Sequence, residues 1–250
     1  MVVLAFILAF ALWLNPELAG LQTPLRKLVF VATAAPLLGW IAGINIGVNY
    51  HNHTHRPLFK SARLNTWFER LWTPFGAWPA KWWAHYHVNV HHARLMTPGP
   101  GGDWTVRQKK PDGEYESCLR YQLRIWPWRT LQNFPREIRA GHFPARTAVL
   151  ELIWFAPLYA IPFLIDPLMG LWLWLLPHWL ANTMTMGRGM YIQHAECEPW
   201  LEDKTQPHSA DFPVPAFNLT MFNIGYHTEH HNQPGLHWAE LPAAAEARER

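Results

Sequence analysis

The sequence predicts an all-α integral membrane protein: about four transmembrane helices with a helical cap on one face that holds a site for two metal ions. Three observations predict it. Four apolar stretches are spaced along the 250 residues. The basic residues crowd into the long polar segment between the second and third stretches. Histidines recur in three short clusters at helical spacing, all in polar segments that leave the membrane on the same side. No repeat and no low-complexity linker divides the chain, so residues 1–250 read as one membrane domain.

The first apolar stretch, 2–14, stops at Asn15-Pro16. It is short for a full span, and no Lys or Arg precedes it as a cleaved signal would require, so it reads as a short span. The second, 28–50, carries only Asn45 and Asn49 as strongly polar members. The third and fourth, 147–165 and 168–187, are separated only by Asp166-Pro167. About 20 apolar residues cross a bilayer core as a helix, which these three satisfy. The cap comprises 51–146 and 188–250. Inside it Leu64, Trp67, Phe68, Leu71 and Trp72 share one helical face opposite Glu69 and Arg70. That pattern fits a helix lying in the membrane interface and equally a helix facing the core of the cap.

Charge sets the orientation. Residues 51–146 hold 15 of the 21 Lys and Arg but only 6 of the 18 Asp and Glu, a net +9. A basic segment is the reflex sign of nucleic-acid binding, but one flanked by apolar runs is more simply the cytoplasmic side of a membrane protein. The expectation is therefore no nucleic-acid partner and a cytoplasmic-membrane protein with its histidine clusters and C-terminus in the cytoplasm. Two cysteines, Cys118 and Cys197, supply neither a disulfide framework nor a four-thiolate metal site. Metal binding falls to the histidines.

The clusters are "HNHTH" at 51–55, "HYHVNVHH" at 85–92 and "HTEHH" at 227–231. Each contains a pair four apart: His51 with His55, His87 with His91, His227 with His231. On an α-helix such pairs share a face and converge on one ion or on neighbouring ions. His92 and His230 lie adjacent in angle and can serve a second ion. His53 and His85 point away, and with Glu229 and His237 they are candidates for supporting the ligating rings from behind. Neutral imidazoles suit zinc, copper, iron or nickel. Eight of them exceed what one tetrahedral zinc uses, so two ions are expected. A transporter would carry its ligands within the spans, near the bilayer midplane. These clusters sit outside, which leaves a histidine-rich metal transporter or sensor as the remote alternative.

The spacings H-x3-H at 51–55, H-x3-HH at 87–92 and H-x2-HH at 227–231 resemble the three histidine boxes of the membrane fatty acid desaturase and hydroxylase superfamily. "NIGYHTEHHNQPGLHWAELP" resembles the third box of bacterial desaturases, dihydroceramide desaturases and carotenoid ketolases. The resemblance covers roughly residues 28–245. It implies a non-haem centre of two Fe ions, O2 as oxidant, and a lipid-like substrate. No haem- or flavin-binding motif is present, so electrons are expected from an external donor of ferredoxin, rubredoxin or cytochrome type, for which the basic segment offers a surface. Double-bond insertion into an acyl chain is the leading reading, and hydroxylation or ketone formation on an acyl, terpenoid or carotenoid substrate is the runner-up. Related enzymes take a further His between the fourth span and the third box, and His178, His194 and His208 are the candidates here. Sixteen residues of helix separate His178 from His194, roughly 24 Å, too far to serve one cluster. His194 stands at the height of His51 and His55 and is expected to be the ninth ligand. His208 follows "EPWLEDKTQP" and reads as a mobile loop residue. His178, as a channel or helix-packing residue, and Trp67 and Trp72, as channel or interfacial residues, are the candidates for lining a substrate channel.

Overall fold

The computed structural model describes residues 1–195, 197 and 208–248, and among these the regular elements are helices. Helix α1, Val2–Leu14, keeps the predicted bounds. Helix α2, Pro24–His55, is longer than the apolar stretch that predicts it. Thr23 caps it by accepting from the Arg26 N–H, and it does not stop at Tyr50. It passes through a π-helical turn, Asn45–Tyr50, and carries the first histidine cluster on its last turn. After α3, Ala62–Trp72, helix α4 (80–92) again changes from α to π geometry, over His85–His92. Helices α5, Cys118–Arg124, and α6, Thr130–Arg139, meet at a kink where Trp126 is non-helical. Helix α7, Ala145–Ile165, turns at Asp166, whose carboxylate caps α8 by accepting from the Met169 N–H at 2.7 Å. Helix α8 runs unbroken from 167 to 194, seven residues beyond the expected end of the fourth span. Short helices α9, Pro215–Thr220, α10, His227–Asn232, and α11, Leu241–Arg248, complete the described fold.

By length and composition two helices are able to cross a membrane, Pro24–His55 and Ala145–Ile165. Helix α1 is apolar but only 13 residues long. The fourth predicted span lies inside α8, which does not meet the hydropathy of a span, because it carries polar groups turned inward. His178 and Asn182 are both buried, and Asn182 donates to the Gly76 carbonyl and accepts from Trp78 Nε1. Leu4, Leu8, Leu28, Leu37, Ile153 and Leu164 are exposed along α1, α2 and α7. Apolar side chains exposed over several helices mark a surface made for an apolar surrounding.

Helices α2 and α8 form the main contact of the fold. Their closeness comes from a glycine seam at four-residue spacing, Gly39, Gly43 and Gly47. A Cβ added at Gly43 would lie 2.7 Å from Thr185 Cβ, and one at Gly39 3.0 Å from the Pro177 carbonyl. Small residues at this spacing let helix backbones approach closely. The seam holds the C-terminal ends of α2 and α8 side by side, and both ends carry histidines.

Helix α3 resolves the two-way reading of its apolar face. Leu64, Trp67 and Leu71 are exposed, while Phe68 stacks on Trp72 and faces His53 at 4.9 Å.

Candidate metal centre

Nine histidines from four separate elements come together in two groups. His51, His55, His87, His92 and His230 form one; His91, His194, His227 and His231 form the other. Within each group the ligand atoms lie within 4.8 Å of one another.

The local geometry explains the division. On α2 and α10 the ordinary α spacing aligns His51 with His55 and His227 with His231, as the four-residue spacing predicts. On α4 it does not. The π-helical turn there places residues five apart on one face, so His87 faces His92, with Nε2 atoms 3.1 Å apart. His91 turns to the other group. His87 and His91 therefore face neighbouring groups, one of the two outcomes their spacing allows, and His92 and His230 meet in the same group. His194 reaches the second group because α8 continues past the apolar stretch; its Nε2 is 3.0 Å from His227 Nε2.

Several rings are held from behind. The Nδ1–H of His51 donates to the Gly47 carbonyl at 3.0 Å and that of His194 to the His208 carbonyl at 3.0 Å. His91 Nδ1 lies 3.2 Å from both Asp103 Oδ2 and Thr105 Oγ1. Trp83 stacks on His87 with the rings 9° from parallel. Donation through Nδ1 leaves Nε2 as a bare acceptor directed into the group. His51 Nε2 then sits 2.8 Å from His230 Nε2 and 3.1 Å from His87 Nε2, more contacts than a single shared proton satisfies. His91 Nε2 is buried with no hydrogen-bond partner among the described residues. A cation at the centre of each group resolves both conditions. Two nitrogens at about 2.1 Å from an ion lie about 3.0 Å apart at a right angle and about 3.4 Å apart at the tetrahedral angle. The contacts of 2.8–3.1 Å match the former. Five imidazoles in one group also exceed a closed tetrahedral site, so the residues present fit two transition-metal ions of higher coordination.

Burial favours the ligating form. Loss of hydration, reinforced by neighbouring rings, holds His87, His227, His230 and His231 well below the ordinary histidine value. They are neutral, as metal ligands must be.

Asp103 is a candidate for supporting the site that the sequence does not single out. It is buried, and its carboxylate also accepts from the Met96 and Thr105 N–H groups and the Thr105 hydroxyl. Burial pushes its pKa up, but the hydrogen bonds, led by that to His91, outweigh this and hold the carboxyl below its usual value. Its signal was an acid in the turn "PGPGGDW", twelve residues after His91.

The other expected residues fall elsewhere. His53 Nε2 faces Glu69 at 3.4 Å and its Nδ1 accepts from the Leu58 N–H. His85 bonds Glu137, which Arg94 holds at 2.5 Å. Glu229 pairs with Arg248 at 2.7 Å rather than with a ring. His237 is exposed, with its ring beside Trp238. His208 is buried beside His231; the stretch 198–207 that suggested a mobile loop lies outside the described residues.

A cavity of about 360 Å³ lies between α2, α8 and the segment 212–224. Gly43, Gly47, Met184, Met190, Phe217 and Met221 form its apolar wall, and it ends on His51, His87 and His227, which belong to both groups. Trp40, 43% exposed, and Arg188, also exposed, stand at its surface. The expected channel residues do not line it. His178 packs against Trp174 and bonds the Tyr159 hydroxyl. Trp67 meets Trp154 on the outer surface, and Trp72, partly buried, packs against the core.

Comparison with protein families finds that the family model described as fatty acid desaturase matches residues 27–250. No curated protein and no solved structure matches the chain.

Proposed function

The chain belongs to the fatty acid desaturase family, and from that premise we propose that it inserts a double bond into the alkyl or acyl chain of a lipid-like substrate. In this reading His51, His55, His87, His92 and His230 hold one iron, and His91, His194, His227 and His231 the other. The two irons, when bound, supply the O2-derived oxidising power that an unactivated C–H bond demands. The electrons come from a separate donor. Helices α1, α2, α7 and α8 sit in the cytoplasmic membrane with the histidine groups on its cytoplasmic side.

The observation that carries the reading is the apolar cavity that ends between the two histidine groups. Its methionines and phenylalanines exclude water and hold an extended alkyl chain by contact alone. Arg188 at the surface offers a cation for an acidic headgroup. His51, His87 and His227 bring both groups to the end of the same space, so a methylene there faces both.

The test is expression in a host that supplies reducing equivalents, with lipid profiling and metal analysis of the purified protein. Expected are about two irons per chain and a new alkene. A Met221→Trp variant, which fills the cavity, should retain iron and lose product. Hydroxylated or ketone products would move the assignment to the other chemistry of the superfamily. One zinc per chain and activity indifferent to iron would overturn it.

A further inference from the structure

A second cavity, about 620 Å³, is bounded by the turn 99–102 and by residues 108–111 and 116–137. Lys109, Lys110, Arg120, Arg124, Arg129 and Arg136 line it against two carboxylates, Glu116 and Glu137. Both acids are engaged, Glu116 with Arg129 and Glu137 with Arg94. Lys110 is paired with Asp112 at 2.7 Å. Lys109, Arg120, Arg124 and Arg136 have no ion-pair partner among the described residues. The cleft is therefore a concentrated positive surface that the fold itself does not neutralise.

Trp104, 9% exposed, forms part of the cleft wall. From it a file of aromatic rings leads inward. Trp104 meets Tyr86 edge-on at 5.4 Å, Tyr86 stacks with Trp83 at 5.6 Å, and Trp83 stacks on His87 at 5.5 Å. Three ring-to-ring contacts thus join a cationic cleft to a ligand of the five-histidine group. These rings also belong to the aromatic core, where Trp78 packs on Trp83 and Tyr86 and Phe134 packs on Trp104.

We propose that this cleft docks an acidic one-electron carrier protein, and that Trp104, Tyr86 and Trp83 relay its electron to the ion held by His87. The inference rests on the oxidoreductase reading above. Each docking oxidises the carrier by one electron and reduces the bound ion by one. Two dockings supply two electrons. Forming one double bond releases two more electrons and two protons from the substrate; with two protons from solvent, these convert one O2 to two waters. Complementary charge acts mainly on the rate and specificity of encounter and weakens with salt.

The probe is a reduced plant-type [2Fe–2S] ferredoxin, an acidic carrier, mixed without O2 with the oxidised, iron-loaded full chain in detergent. Binding should weaken as salt rises. Arg120→Glu combined with Arg124→Glu should weaken it at least tenfold at low salt. At saturating ferredoxin, where differences in binding drop out, Trp104→Leu should slow reduction at least tenfold, while Trp104→Phe, which keeps a ring, recovers much of the rate. Reduction by dithionite, small enough to bypass the cleft, should be the same in all variants and reports that each has folded. Unchanged ferredoxin affinity in the charge-reversed variant overturns the docking face, and loss of inorganic pyrophosphate binding in its place would assign the cleft to a small anion. An unchanged ferredoxin rate in Trp104→Leu overturns the relay alone. A wild-type chain that binds ferredoxin but is reduced by neither reagent overturns the relay and the oxidoreductase reading together.

Discussion

His91 has a carboxylate behind it, and no other ring of the two histidine groups does among the described residues. A carboxylate behind an imidazole fixes its tautomer and raises its basicity, and removing such a partner typically lowers metal affinity about 10–100-fold. Asp103→Ala should therefore weaken metal binding selectively in the four-histidine group, leaving about one ion per chain after mild chelation; Asp103→Asn, whose amide oxygen still accepts, should be milder. Metal analysis across a chelator titration reads this, and equal loss from both groups would refute it. Protonation gives a second expectation. Burial holds His87, His227, His230 and His231 below their unfolded value of about 6.5. Below that pH the unfolded metal-free chain binds more protons than the folded one, so folding stability is full above about 6.5 and is lost as pH falls toward the folded values. The thermal midpoint of the metal-free protein should drop between pH 7 and pH 5. A flat profile would mean these rings are not buried and neutral without metal.

Two features of the helices decide where the ligands point, and they differ in how visible they are in the sequence. The pairs His51/His55 and His227/His231 were legible because their helices are ordinary α and four residues return to one face. How the second cluster divides between the groups was not, because five-residue alignment depends on a π-helical turn, which leaves no simple spacing mark in "HYHVNVHH". Asp103 escaped notice because its contact with His91 exists only once the turn 98–102 has folded back. The cavity wall was equally unreadable, since methionines and phenylalanines of 184–221 look like any core. Trp67, Trp72 and His178 are large or polar residues in apolar surroundings, a pattern that a channel and ordinary packing share, and tertiary packing uses them. His194 could be singled out because helical rise converts sequence distance into height. The glycine seam yields the element-scale prediction. Gly43→Val places methyl groups against Thr185, where even a Cβ lies at 2.7 Å; overpacking of this kind typically costs about 1–3 kcal/mol. Its thermal midpoint in detergent should fall, while Gly189→Ala, whose nearest neighbour is 4.0 Å away, should match the wild type. Equal midpoints would show that the seam does not set the packing of α2 on α8.

At the scale of the molecule, the all-helical fold and the meeting of the clusters were readable, while the number of spans was not. Helix α8 turns His178 and Asn182 inward, so its composition understates how well its outer face, with Leu168, Leu171 and Trp172 exposed, suits an apolar surrounding. Both histidine groups also draw on helix α10, which reaches them from the far end of the described chain. An ion in either group therefore ties residues 227–231 to helices more than 130 positions earlier. Removing metal should raise hydrogen exchange across 212–232 while leaving the α2–α8 seam protected; a uniform rise would mean that the metals hold the whole bundle. The same wiring gives the protein an order in time. While the chain is being synthesised, α2 and α4 fold with four ligands of one group and a single ligand of the other. Neither set closes until the segment carrying His227, His230 and His231 has left the ribosome. Metal loading then waits for residues 227–231, and a pulse of radioactive iron should label chains that carry them and pass over shorter nascent ones.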